Sequence, residues 1–180
     1  MINIPNIITI LRAALVPVFI TTLHYGKFKV ALVIFLIAAI SDSIDGFLAR
    51  KFKQITTIGI IMDPLADKAL IDSGFIVLSF SHKIIPPWLT IFILSRDALI
   101  IVGGWLFATF GKIEKIKPLI IGKITSFSQF STIFFTLLYL NFPNFYLDVF
   151  LKFLYYFTGG MTMASGATYI TVGIREIGND

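Results

Sequence analysis

Asp42-Ser-Ile-Asp45-Gly46-Phe-Leu-Ala49-Arg50, followed after eight residues by Gly59-Ile-Ile-Met-Asp63-Pro-Leu-Ala-Asp67, sets four carboxylates and a guanidinium into sequence that is otherwise apolar. The run before it, Val30 to Ile40, has no charged side chain at all. An ionised side chain at the centre of a bilayer costs about 2.5–3.5 kcal/mol on insertion scales, so a cluster of this kind in a lipid setting requires a function. Whether the setting is lipid depends on the rest of the chain.

Composition says that it is. Of 180 residues 57% are hydrophobic and 14% charged, against about 45–50% and 25% in ordinary soluble domains; mean hydropathy is +0.89. The absence of cysteine excludes a disulfide framework, a thiolate metal site and a redox motif. Met1 to Leu11 carries no charge, so no cleavable signal peptide is expected. The net charge of +5 bears on membrane topology, and no nucleic-acid partner is expected.

Outward from the acidic stretch, six runs have the roughly 20 apolar residues that a spanning helix needs. They lie at about Ile7 to His24, Val30 to Ala49, Ile58 to Phe80, Pro87 to Phe110, Leu119 to Leu140 and Val149 to Ile174. None alternates with period two, which favours helices over a barrel. Pro86, Pro87 and Pro118 suit helix starts, and Pro143 with Asn141 and Asn144 suits a turn. The expected fold is an all-α integral membrane protein of six transmembrane helices in one bundle, a single domain over residues 1–180. Arg50, Lys51 and Lys53, then Lys112, Lys115 and Lys117, then Arg175 fall on one side of it. By the positive-inside rule that side, with both termini and all four aspartates, is cytoplasmic.

At 100° per residue Asp42 and Asp45 share a helix face, with Gly46 and Ala49 further along it, and Asp63 and Asp67 share a face of the next helix. Two antiparallel neighbours bring these carboxylates toward one volume, where four negative charges need cations. All-oxygen ligation suits two hard divalent cations, Mg²⁺ or Mn²⁺, and such a pair serves in-line phosphoryl displacement. Gly46, Ala49 and Gly59 leave room for a ligand, and Arg50 can fork onto phosphate oxygens. The competing readings are structural pairing of the aspartates with Lys68 or Arg96, and a cation transporter or channel. A permeation path needs acidic residues through several helices, and here they sit in one hairpin at one depth.

The stretch resembles the signature of the CDP-alcohol phosphatidyltransferases, D-x2-D-G-x2-A-R-x8-G-x3-D-x3-D, and matches it at Asp42, Asp45, Gly46, Ala49, Arg50, Gly59, Asp63 and Asp67. The resemblance implies a six-helix membrane enzyme, commonly homodimeric, that moves a phosphatidyl group from CDP-diacylglycerol to an alcohol acceptor and releases CMP. It further implies that Asp42, Asp45 and Asp63 hold the metals and that Asp67 completes the site and deprotonates the acceptor. Gly46, Ala49, Arg50 and Gly59 would line the CDP pocket.

Ile4-Pro5-Asn6-Ile-Ile-Thr9-Ile-Leu-Arg12 resembles the family's I-P-N-x2-T-x2-R opening. This implies that Asn6 and Thr9 meet the nucleotide and that Arg12 is a further phosphate ligand; capping and snorkelling are the plainer alternative. Arg96, in Ser95-Arg96-Asp97, and Lys123 are cations inside apolar runs, where a phosphate-bearing ligand is a natural partner. In the resembling enzymes these positions bind the acceptor's phosphate; pairing of Asp97 with Arg96 or Lys123 is the alternative. Glycerol 3-phosphate, giving phosphatidylglycerophosphate, is the first-choice acceptor. Gly104 and Thr125 stand where members using it often carry a second Arg and Lys, so the cardiolipin-forming use of phosphatidylglycerol is the alternative. Gly103, Gly104, Gly159, Gly160, Ala164 and Gly166 suit close helix approach, and Phe153, Tyr155, Tyr156 and Phe157 suit a lipid-facing surface.

Overall fold

Long apolar runs without alternation fold as helices. The computed structural model of the chain describes residues 4–52, 68–109 and 120–178, with side chains over 11–41, 68–104 and 120–173. Among these residues there are six helices and no strand. They are α1 (Ile4–His24), α2 (Phe28–Phe52), α3 (68–76, continued by a π-helical turn Val77–Ser81), α4 (Pro87–Thr109), α5 (Ile120–Asn141) and α6 (Phe145–Gly178).

The ends of these helices follow from local chemistry rather than hydropathy. Gly26 takes φ +68° after α1, and the amides of Gly26 and Lys27 return to the carbonyls of Leu23 and Thr22. This is a Schellman cap, and it turns α1 tightly into an antiparallel α2. Pro87 occupies the first turn of α4, as expected. The Asn144 side chain accepts the amide of Tyr146, so α6 begins at Phe145 rather than Val149. α2 runs on to Phe52 rather than Ala49, because Arg50 and Lys51 are good helix formers however polar. Pro118 lies outside the described residues.

α1 packs along α2, α2 against α5, α5 along α6, and α6 against α4. On α2 the inward residues Ala31, Ile34, Phe35 and Ala38 follow helical periodicity. Phe35 stacks on Phe130 of α5 at 4.8 Å and tilts against Phe19 of α1 at 5.8 Å, tying the three helices together. The opposite face of α2 is just as apolar, with Val30, Val33, Leu36, Ile37 and Ile40 all exposed.

Polarity is inverted across the α5–α6 contact. Thr125, Ser128, Thr132 and Thr136 of α5 are buried against Thr158, Thr162 and Ser165 of α6, while Phe127, Phe153 and Phe157 point outward. The Thr132 and Thr158 hydroxyls meet at 2.9 Å, Thr125 reaches the Met161 carbonyl at 3.1 Å, and Thr158 reaches the Ser128 carbonyl at 3.3 Å. Helices that are apolar outside and hydroxyl-bonded inside associate without a hydrophobic drive between them, as in lipid.

Among the described residues, the six helices fall at the six expected runs, the third of them from residue 68 onward. Among the described residues one segment, Pro87–Gly104 in α4, is by length and composition apolar enough to cross a membrane; Leu11–His24 and Phe28–Ser41 are shorter apolar segments.

Two further expectations need correction. Tyr155 is buried, its hydroxyl 3.4 Å from that of Thr136, so only Phe153, Tyr156 and Phe157 of the aromatic run face outward. Of the small residues, Gly159 serves close packing: a Cβ there would lie 2.5 Å from the Trp88 ring. Gly103, Gly104 and Gly160 meet no described atom within 4 Å.

Candidate active site

α2 is one unbroken helix through Asp42, Asp45, Gly46, Ala49 and Arg50. Asp42 and Asp45 therefore sit about one turn apart on one side, with Gly46 beside them. α1 is likewise continuous through Asn6, Thr9 and Arg12. Both helices rise equally from the turn at Gly26, so the segment from Asn6 to Arg12 lies at the level of the Asp42 end of α2. The side chains of Asn6, Thr9, Asp42, Asp45, Gly46, Ala49 and Arg50, and the whole of Gly59, Asp63 and Asp67, lie outside the described residues. Among the described residues no three His, Asp or Glu side chains form a group able to hold a metal.

Arg12 is buried within the bundle at 1% exposure. It is not among the described residues of the cavity where the other two expected phosphate ligands meet.

That cavity, of about 400 Å³, is lined by Lys68, Arg96, Ile100, Gly122, Lys123, Ser126 and Tyr169. Arg96 and Lys123 come from different helices, so the fold brings these two residues into one wall. Arg96 is 6% exposed, and each of its three nitrogens makes a hydrogen bond. Its Nε and Nη2 donate to the Ser165 hydroxyl at 3.2 and 2.9 Å, its Nη1 donates to Asp97 Oδ1 at 2.6 Å, and its guanidinium lies over the Tyr169 ring at 5.7 Å. Bonds on two sides and a ring beneath fix the plane of the fork, which is the preorganisation that phosphate recognition uses. Gly122 makes room for it: a Cβ there would stand 2.9 Å from the Tyr169 hydroxyl and 3.3 Å from Arg96 Nη2.

Asp97 does pair with Arg96, as the alternative reading held, but its second partner is Lys68 at 2.5 Å and not Lys123. Lys123 is exposed at the cavity's edge. The reason is helical direction: Asp97 faces α3 and the bundle, whereas Lys123 is on the outer side of α5. Pairing with Asp97 occupies one donor of Arg96 and still leaves the guanidinium in the cavity wall.

The sequence reading named Lys68 only as a pairing partner for the aspartates, and it missed Ser165, Tyr169 and Ser126. Lys68 was marked by its position directly after Asp67, and Ser165 by the helical spacing of Thr158, Thr162 and Ser165. Nothing in the sequence marked Tyr169 or Ser126.

The model of the CDP-alcohol phosphatidyltransferase family matches residues 2–168. Among curated proteins, the chain is 33% identical over 144 residues to the CDP-diacylglycerol--glycerol-3-phosphate 3-phosphatidyltransferase of Bacillus subtilis, covering 72% of this chain and 73% of that one. It is 36% identical over 127 residues to the Aquifex aeolicus protein of the same name, covering 69% of each. It is 30% identical over 191 aligned residues to human cardiolipin synthase (CMP-forming), covering 97% of this chain and 63% of that longer protein. A family match of that extent, on a chain whose second helix carries the first half of the motif unbroken, shows that the chain belongs to the CDP-alcohol phosphatidyltransferase family.

Proposed function

We propose that this phosphatidyltransferase takes CDP-diacylglycerol as donor and glycerol 3-phosphate as acceptor, forming phosphatidylglycerophosphate and CMP in phospholipid biosynthesis. The observation that carries the acceptor is the shared cavity of Arg96 and Lys123, with Lys68, the residue directly after Asp67, in the same wall. A cationic surface of this kind suits a phosphate, and one of its residues adjoins the proposed base in sequence.

The donor set of Asp42, Asp45, Asp63 and Asp67 is all carboxylate, which suits hard divalent cations such as Mg²⁺ or Mn²⁺. Two such cations, held by these residues, would supply Lewis-acid stabilisation of the pyrophosphate. Asn6, Thr9, Gly46, Ala49, Arg50 and Gly59 bind the cytidine diphosphate, with Arg12 as a further phosphate ligand. Asp67 takes the proton of the acceptor hydroxyl as its oxygen bonds to the lipid-bearing phosphorus, and the bond from that phosphorus to CMP breaks. Arg96 and Lys123 hold the acceptor's phosphate, so the hydroxyl is presented rather than sampled.

The protein is a multi-pass cell-membrane enzyme of one domain over residues 1–180, with six spans, cytoplasmic termini and the site at the cytoplasmic face. Its outward Val, Leu, Ile and Phe side chains and its inward hydroxyl seam support the lipid setting. It acts as a homodimer. Phosphatidylglycerol as acceptor is a second reading, favoured by the alignment to human cardiolipin synthase along 97% of the chain. The Thr125 hydroxyl is used in bonds to Ile121 and Met161, so that residue does not replace the missing lysine.

Substitution tests the chemistry. Asp63→Ala and Asp67→Ala each abolish CMP release while the protein remains folded in detergent, and chelation does the same to the unmodified enzyme. Full turnover by either variant, or activity that survives chelation, contradicts the mechanism.

A further inference from the structure

We infer that Lys68 is a third cationic ligand of the acceptor's phosphate, held in place by Asp97. This rests on the acceptor reading given above.

Asp97 is 2% exposed and its two oxygens are divided between two helices: Oδ1 takes Arg96 of α4 and Oδ2 takes Lys68 of α3. A buried carboxylate shared in this way sets the distance between the two cations. Ser165 braces Arg96 from α6 on the other side. An ammonium has three N–H donors, so the ion pair with Asp97 leaves donors for a ligand. Lys68 lines the cavity beside Arg96 and Lys123, and no carboxylate is among the described lining residues. Asp72, one turn along α3 from Lys68, is not in that lining but interacts electrostatically with Lys68, Arg96 and Asp97.

Position supports the same reading. Lys68 directly follows the proposed base in sequence, and a three-carbon alcohol phosphate carries its hydroxyl and its phosphate a few bonds apart.

The experiment is steady-state kinetics of purified enzyme in detergent with CDP-diacylglycerol and glycerol 3-phosphate, for Lys68→Met, Lys68→Arg, Asp97→Asn and the Lys68→Met/Asp97→Asn pair. Loss of one charge-assisted contact predicts a rise of about tenfold or more in KM for glycerol 3-phosphate in Lys68→Met, with KM for CDP-diacylglycerol unchanged. Lys68→Arg recovers most of it. Asp97→Asn raises the same KM, and the double variant shows less than the product of the two single effects because both act through one contact. Inorganic phosphate, as a second probe, inhibits the unmodified enzyme competitively against glycerol 3-phosphate and inhibits Lys68→Arg far more strongly than Lys68→Met. An unchanged acceptor KM in Lys68→Met, or a loss confined to kcat, overturns the inference while leaving the acceptor standing. An unmodified enzyme that ignores glycerol 3-phosphate and turns over phosphatidylglycerol overturns both.

Discussion

Two glycines show how single residues set the geometry. At Gly159 the helix α6 passes so near Trp88 that a methyl group has only 2.5 Å of space, against a rigid ring. Gly159→Ala is expected to destabilise by about 1–3 kcal/mol through overpacking, read as a fall of several degrees in detergent thermal denaturation. Gly122 is the functional counterpart. There the added carbon meets the Tyr169 hydroxyl and the end of Arg96, both at the far end of long side chains, so the fold yields and the cavity narrows. Gly122→Ala should keep its melting temperature within a degree or two and raise the acceptor KM several-fold, leaving the donor KM alone. Equal effects on both KM values would show that the cavity is not the acceptor's.

Among elements, the helices themselves were legible in the sequence because hydrophobic runs of spanning length have few alternatives in lipid. The fourth run, Pro87 to Phe110, matches α4 within a residue, since a proline marks its start. What hydropathy could not show is which face of each helix turns inward, because both faces are apolar. Tyr155 illustrates this: it was grouped with its outward neighbours, but its hydroxyl has a partner in Thr136 and it turns inward. The hydroxyl seam of α5 and α6 was missed for a related reason. Thr and Ser scarcely change a hydropathy average, and their helical spacing matters only once two helices are known to be neighbours. Thr158 sits at its centre, bonded to Thr132 and to the Ser128 carbonyl. Thr158→Val should cost about 0.6 kcal/mol and no more than about 1.7, as for interhelical hydrogen bonds in other membrane proteins. A denaturant titration in mixed micelles measures it, and no change at all would mean that the seam is not what joins these helices.

For the whole molecule, the acidic motif was the most legible feature, since fixed spacing of Asp, Gly, Ala and Arg speaks directly to chemistry. The proposed acceptor site was legible only in part. Arg96 and Lys123 stood out as charges in apolar runs, whereas Lys68, Ser165 and Tyr169 join them through packing of α3 and α6 that no single segment reveals. The proposed arrangement in the membrane rests on the lysine and arginine bias of alternate connections. Because the chain has no cysteine, single cysteines can be introduced without a background. Lys112→Cys is expected to react with an impermeant maleimide only from the cytoplasmic side, and Lys83→Cys only from the outside. The reverse pattern, or labelling of both from one side, contradicts the six-span topology.

The central claim is phosphatidyl transfer from CDP-diacylglycerol to glycerol 3-phosphate. Its most direct measurement is mass spectrometry of the lipid formed when the purified protein is given CDP-diacylglycerol, Mg²⁺ and equimolar glycerol 3-phosphate, phosphatidylglycerol, serine and inositol. The predicted product is phosphatidylglycerophosphate, formed in step with CMP. Cardiolipin as the sole product would move the acceptor to a phosphodiester, and phosphatidylserine would contradict the assignment of Arg96 and Lys123 to an acceptor phosphate.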